Sequence, residues 1–395
     1  MKILFAFWSP LYSPGFKSSR LEGYLDECDR QNISVSYVGL PTKATDSARH
    51  QCLQKYISSN KIKVISGVVA RITKLLGLSS LGRHVGIYLL SKKIVKSKEL
   101  QKVDVLFCQP YFYLLVKEAR ELGIPVILES DSAHPAQTWN VLRKREKTNN
   151  ISRINADPWN YYPYVKNALH SISAADKIIV FSDHAEQTYL EAGINKAKVK
   201  KLRPPLTSNM QVSNRVSEHP KFVFAANHAT RKGLDLVLAA WKQYTNEGGK
   251  GKLFICGDES PAFKKIWQNN KPLKQYTELG NINLREFFAE ERCVLISPSF
   301  SEGRPRTVLE AMGAGCPVIA SFESSADIVD NTNGWIVELN KESILHSLQA
   351  IESDWTNTVI HKGDMSKQLI MEENTTNNFY SDAVKLLISS RGEKL

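Results

Sequence analysis

Two carboxylates eight residues apart, Glu302 and Glu310, stand in the stretch Ser297–Ser321, which reads SPSFSEGRPRTVLEAMGAGCPVIAS. Ionised carboxylates only accept hydrogen bonds, so they suit ligands rich in hydroxyl donors, such as a hexose or a ribose. Between them lie Gly303, Arg304, Pro305, Arg306 and Thr307. The backbone N–H groups of Gly303 and Arg304 are expected to open a helix and so to make an anion site. A diphosphate held there would have Glu302 on one side and Glu310 on the other. A second basic stretch, Asn227-His228-Ala229-Thr230-Arg231-Lys232-Gly233, adds two adjacent cations.

The elements around these residues follow from apolar patterning. Cys293–Ile296 and Pro317–Ala320 are short apolar runs of the kind that form buried strands. Val308, Leu309, Ala311 and Met312 make the apolar face of a short helix, with Pro305 in its first turn and Gly313 and Gly315 closing it. The unit is therefore strand, loop, helix, strand, and its loop falls at the carboxyl end of a strand, where open α/β sheets bind ligands. Likewise Phe222–Ala226 reads as a strand leading through Arg231 and Lys232 into a helix at Leu234–Tyr244.

Alternation of strand and helix runs through the first half as well. Ile3–Phe7, Ile33–Val38, Val103–Cys108, Val126–Leu128 and Lys177–Phe181 read as strands, and Ser18–Arg30 as a helix. This pattern argues for parallel doubly wound sheets. The first loop, Trp8–Lys17, contains Gly15 but no GxGxxG, which disfavours a dinucleotide-binding oxidoreductase. Pro204-Pro205 and the polar run after them mark a linker. Domains are therefore expected at 1–205 and 220–375, joined by 206–219, with a final helix in 376–395 crossing back to the first.

Composition narrows the class. A chain of 395 residues exceeds one hydrophobic core. The six cysteines show no CxxC or Cys/His spacing, so they read as reduced core residues of a cytoplasmic protein, and no metal site is expected. The opening apolar run is too short for a signal peptide, and no stretch is long enough for a membrane span. The net charge of +12 is uneven: Ser47–Lys98 holds no Asp or Glu, but eleven Lys and Arg among apolar clusters. Such a basic amphipathic block suits an anionic membrane surface. No nucleic-acid motif accompanies it, so nucleic acid is not an expected partner.

The stretch around Glu302 and Glu310 closely resembles the donor-binding motif of retaining glycosyltransferases with the GT-B fold, of the family 4 (glycosyl transferases group 1) type. Pro298-Ser299, Glu302-Gly303, Leu309–Met312, Gly315 and Pro317–Ile319 carry the likeness. The resemblance implies an α/β GT-B architecture of two facing Rossmann-like domains, with the donor bound by the second and the acceptor by the first. It implies transfer of a sugar from a nucleotide-sugar donor to a glycan or lipid-linked glycan, with retained configuration and no metal. The setting implied is assembly of bacterial cell-surface polysaccharide, lipopolysaccharide or glycolipid, in the cytoplasm or on the inner face of the membrane.

By the same resemblance Glu302 holds the donor sugar, Glu310 the ribose and Lys232 the diphosphate. Gly303, Arg304, Pro305, Arg306, Thr307, Asn227 and Gly15 would border the donor. The family's Arg before the Lys-Gly falls here on Ala226 or Asn227, neither of them basic, leaving Arg231, Arg304 or Arg306 to replace it. The family often has a His just after the strand that ends near Leu128; that position falls on Asp131, with His134 close by. Either would meet a sugar hydroxyl, or both cap the next helix. The missing Arg and His keep an alternative open: a catalytically inactive nucleotide-sugar-binding subunit of the same fold. A hydrolysing epimerase of the same architecture is a third option.

Overall fold

Short runs of β-branched and aromatic residues pair into two all-parallel sheets in a computed structural model of the chain. The structure describes residues 1–13, 16–42, 49–74, 80–150, 159, 161–206, 210–257, 261–271, 273–324 and 326–392. The first sheet contains β1 (Lys2–Ala6), β2 (Ser34–Val38), β3 (Leu53–Ile57), β4 (Val105–Cys108), β5 (Val126–Ser130), β6 (Lys177–Val180) and β7 (Val199–Lys201). Their order is β3-β2-β1-β4-β5-β6-β7. The second contains β8 (Lys221–Ala225), β9 (Lys252–Cys256), β10 (Tyr276–Gly280), β11 (Val294–Ser297), β12 (Val318–Ala320) and β13 (Gly334–Ile336). Its order is β10-β9-β8-β11-β12-β13.

Each order reverses direction once, between β1 and β4 in the first sheet and between β8 and β11 in the second. That reversal is where doubly wound sheets open a ligand crevice beyond their strand ends. The strands at these points are fully buried: Ile3, Leu4, Phe5, Val105, Leu106 and Phe107 in one sheet, Phe222, Val223, Val294 and Leu295 in the other. Strands covered on both faces read as continuous apolar runs, which is why they were visible in the sequence.

Three edge strands, β3, β7 and β10, were not anticipated. β3 carries the exposed Gln54 and Lys55, and β7 the exposed Lys200, so neither shows an apolar run. β3 also lies within the basic block Ser47–Lys98, whose described helices are Asn60–Lys74 and Ser80–Lys96.

The chain divides into two compact units. The first comprises Met1–Trp139, Ala156–Thr207 and Asn378–Leu395; the second comprises Asn140–Asn155 and Ser208–Asn377. The stretch from Asn140 thus groups with the second unit, not the first as read from the sequence. The cause is Arg145, which pairs with Asp235 and lays its guanidinium 4.0 Å from the Phe300 ring centroid. In the first unit the helix Phe379–Ser389 buries Phe379, Ala383, Val384 and Leu387 in the same core as Leu21, Tyr24 and Leu25. Among the described residues no helix is long and apolar enough to cross a membrane.

Candidate functional site

The chain leaving β8 makes one helical turn, Ala229–Lys232, before the helix Leu234–Asn246. Gly233 joins them at φ +76°, and a Cβ there would meet the Pro298 carbonyl oxygen at 2.4 Å. Only glycine satisfies both the left-handed backbone and that approach. The turn is laced to the loop after β11: the Phe300 N–H donates to the Arg231 carbonyl at 2.8 Å, and the Arg231 guanidinium donates to the Ser301 carbonyl at 2.6 Å. The two loops flanking the reversal point therefore form one piece.

That lacing brings three side chains together. Glu302 Oε1 accepts from Arg231 Nη1 at 2.5 Å and lies 2.6 Å from Lys232 Nζ. Two contacts of that length to one oxygen place the cations within about 5 Å of each other. Burial opposes charging Glu302, but Arg231 and Lys232 outweigh it and hold the carboxyl below its ordinary value. The site thus contains an Arg–Lys pair even though the usual Arg position is Ala226 or Asn227: Arg231 supplies the second cation from four or five residues further on. Asn227 is exposed in the same loop.

Glu310 is largely buried in the helix Arg306–Gly313, and its Oε1 accepts from both Arg285 Nε and Arg306 Nε at 2.7 Å. Arg285 was missed in the sequence, although Asn283 caps the helix Leu284–Glu290 and so sets Arg285 in its first turn. Taken together, Glu302, Glu310, Arg231, Lys232, Arg285 and Arg306 carry a balance of two positive charges, the sign a diphosphate needs.

Two expectations are corrected here. The helix begins at Arg306 with Pro305 as its N-cap, so Gly303 and Arg304 precede it and Thr307 occupies its first turn. Their N–H groups do not open the helix. Arg304 is not a cation for the donor either: its side chain is 1% exposed, and Nη2 lies 2.8 Å from Asp327 and 2.5 Å from Glu373. It ties the loop to the helix Trp355–Thr376. Gly15 lies outside the described residues.

In the first unit Asp131 follows β5. Its partly exposed carboxylate lies 2.7 Å from Lys17 and 3.9 Å from Arg20. Burial works against its charge, yet Lys17 and Arg20 bring the pKa down to about 2. Arg20 is itself buried and bonds Glu129 at 2.7 Å, which also accepts from Tyr24. His134, expected at a sugar hydroxyl or as a cap, is turned inward. Its backbone N–H donates to Thr188 Oγ1 and its ring packs edge-on against Tyr189. Burial lowers its pKa to about 4. Ser182 caps the helix Asp183–Glu191, accepting from the Ala185 N–H. Among the described residues no group of three or more His, Cys, Asp or Glu side chains is placed to hold a metal ion.

Two parallel sheets with these strand orders define the GT-B class, and solved structures bear this out along the whole chain. Anabaena HepE, solved with UDP and glucose, is 15% identical, with 98% of this chain and all of that one covered and a TM-score of 0.64. A mutant of S. aureus TarM, solved with fondaparinux, alpha-GlcNAc-glycerol and UDP, is 10% identical, covering 99% and 100%, with a TM-score of 0.63. WaaG, a glycosyltransferase involved in lipopolysaccharide biosynthesis, is 11% identical, covering 98% and 99%, with a TM-score of 0.61. Within that fold, residues 207–371, which hold Arg231, Lys232, Glu302 and Glu310, match the family model of glycosyl transferases group 1. No curated protein matches the sequence.

Proposed function

We propose that this chain is a retaining glycosyltransferase that moves a sugar from a nucleotide-sugar donor to an acceptor hydroxyl. The observation that carries the reading is the meeting of Arg231 and Lys232 on one oxygen of Glu302, beside the reversal point of the second sheet. Departure of a nucleoside diphosphate builds negative charge on the leaving oxygen. Cations already fixed by a carboxylate and by backbone carbonyls stabilise that charge without reorganising. Glu302, kept ionised, accepts from the donor-sugar hydroxyls and favours positive charge at the anomeric carbon. Glu310 serves the ribose. In the first unit Asp131, held ionised by Lys17, accepts from a hydroxyl of the sugar or acceptor. Retention follows if the departing phosphate oxygen takes the acceptor proton on the same face, a step that asks no further base of the chain.

The chain works without a metal in this reading, since Arg231 and Lys232 carry the charge a cation would neutralise. Its acceptor is a glycan or lipid-linked glycan of a cell-surface polysaccharide or lipopolysaccharide, met at the inner face of an anionic membrane. Two structurally similar proteins were solved with UDP, so UDP-sugars come first in the test. Incubation with radiolabelled UDP-, GDP- and ADP-sugars should give slow donor hydrolysis, unchanged by EDTA. Tight binding with no hydrolysis, and no transfer to any glycan tried, would favour the inactive binding subunit.

A further inference from the structure

The helix Asn60–Lys74 has one buried face. Ser66 Oγ donates to the Gly82 carbonyl at 2.7 Å, and a Cβ on Gly82 would lie 2.3 Å from the Ser66 carbonyl oxygen and 2.6 Å from the Ala70 Cβ. Ser66 Cβ is likewise 3.0 Å from where a Cβ on Gly86 would sit. The helices Asn60–Lys74 and Ser80–Lys96 therefore cross at small residues, with Ser66 and Ala70 inward. Lys93 Nζ donates to the Ser58 carbonyl, which sets the end of the second helix beside the start of the first.

The opposite face is apolar and open. Val64, Val68 and Ile72, one turn apart, are 63%, 46% and 67% exposed. Three exposed branched residues in one stripe are not accounted for by scattered surface apolarity. Lys61, Lys63 and Arg71 flank the stripe and are exposed. Lys92, Lys93 and Lys96 line an open groove of about 470 Å³ with Leu89 and Ser97 on the second helix.

We infer that this helix pair docks on an anionic lipid surface, with Val64, Val68 and Ile72 entering the acyl boundary and the flanking cations meeting the headgroups. Charge selects the occupant. No acid lies between Ser47 and Lys98, and the next in sequence, Glu99, is buried under Lys55 and Lys102 at 2.7 and 3.0 Å. Not all of the block contributes: Arg83 is turned inward onto Tyr164, and Arg49 pairs with Glu22. An apolar stripe flanked by cations suits an interface of anionic headgroups over acyl chains. It also repels a second copy of itself. The inference deepens the membrane contact in the proposed function, on which it rests for its purpose, by naming the surface.

Co-sedimentation of the full chain with phosphatidylglycerol-containing and with pure phosphatidylcholine vesicles tests it. The protein should bind the anionic vesicles only, and added salt should release it. At about 1 kcal/mol per basic residue near such a surface, Lys61→Gln, Lys63→Gln and Arg71→Gln together should weaken binding on the order of 100-fold. Val64→Ser, Val68→Ser and Ile72→Ser together should weaken it about tenfold or more, and that loss should persist at high salt. Absence of binding to anionic vesicles at low salt would overturn the inference. So would equal binding to neutral vesicles, or a dimer in light scattering that the serine variant abolishes. Donor hydrolysis, measured without vesicles, should be unchanged in both variants. A native chain that hydrolyses donor but ignores anionic vesicles overturns this surface alone; a native chain that binds them but never hydrolyses donor overturns the transferase reading alone.

Discussion

Replacing Glu302 by Ala removes a carboxylate that Arg231 and Lys232 share. Both cations are then left within about 5 Å of each other, which at an effective dielectric of about 20 is a repulsion of about 3 kcal/mol. In a unit of this size that lowers the melting temperature by roughly 6–12 °C. The same change makes the site more positive, so the free nucleoside diphosphate should bind the variant at least as tightly as the native protein. Its addition should restore much of the lost melting temperature. Turnover of the intact donor should nevertheless fall by orders of magnitude, because the contacts to the reacting sugar are gone. Differential scanning fluorimetry with and without the diphosphate, calorimetric titration and radiolabelled-donor turnover measure the three quantities. If diphosphate affinity fell in parallel with turnover, Glu302 would be holding the nucleotide rather than balancing two cations beside it.

Lys232→Ala and Arg231→Ala should each lower kcat on the order of 10²–10³, as for loss of one oxyanion donor; a mild effect in both would move charge stabilisation elsewhere. Arg304→Gln should cost about 3–5 kcal/mol in chemical denaturation, by breaking a buried ion pair and stranding Glu373, while the folded protein keeps its nucleotide affinity. His134 is neutral when buried, with its pKa lowered to about 4, whereas in the unfolded chain it titrates near 6.5. Stability should therefore be unaffected by His134 above about pH 6.5 and decline as pH falls from there toward 4. His134→Gln should flatten that part of the curve in urea titrations.

The pieces of the site legible in the sequence were those set by local spacing. Glu302, Glu310 and the helix between them belong to one βαβ unit, so their separation fixes their stations. Arg231 and Arg285 were less legible because their partners are 71 and 25 residues away, and the chain path that joins them is not a local property. Arg304 misled for a related reason: next to a glycine at a helix start it reads as an anion ligand, and only the distant Glu373 reveals it as a tether. In the fold, buried strands announced themselves and the polar edge strands β3 and β7 did not. The basic block showed its charge in the sequence, but not that Arg83 points inward or that three apolar residues line one outer face.

The composition of the first unit has a consequence for biosynthesis. The helix Phe379–Ser389 fills the core around Tyr24 and Phe181, with ring centroids of Phe379 at 5.5 and 5.9 Å from theirs. Yet it follows the whole second unit in the chain. At about 5–20 residues per second, the ribosome needs roughly 10–30 s to make that unit after the first sheet has emerged. For that interval Leu21, Tyr24 and Leu25 lack their final cover. The nascent first unit is then a natural client for a chaperone, and truncation before Phe379 should expose it to proteolysis while sparing the second.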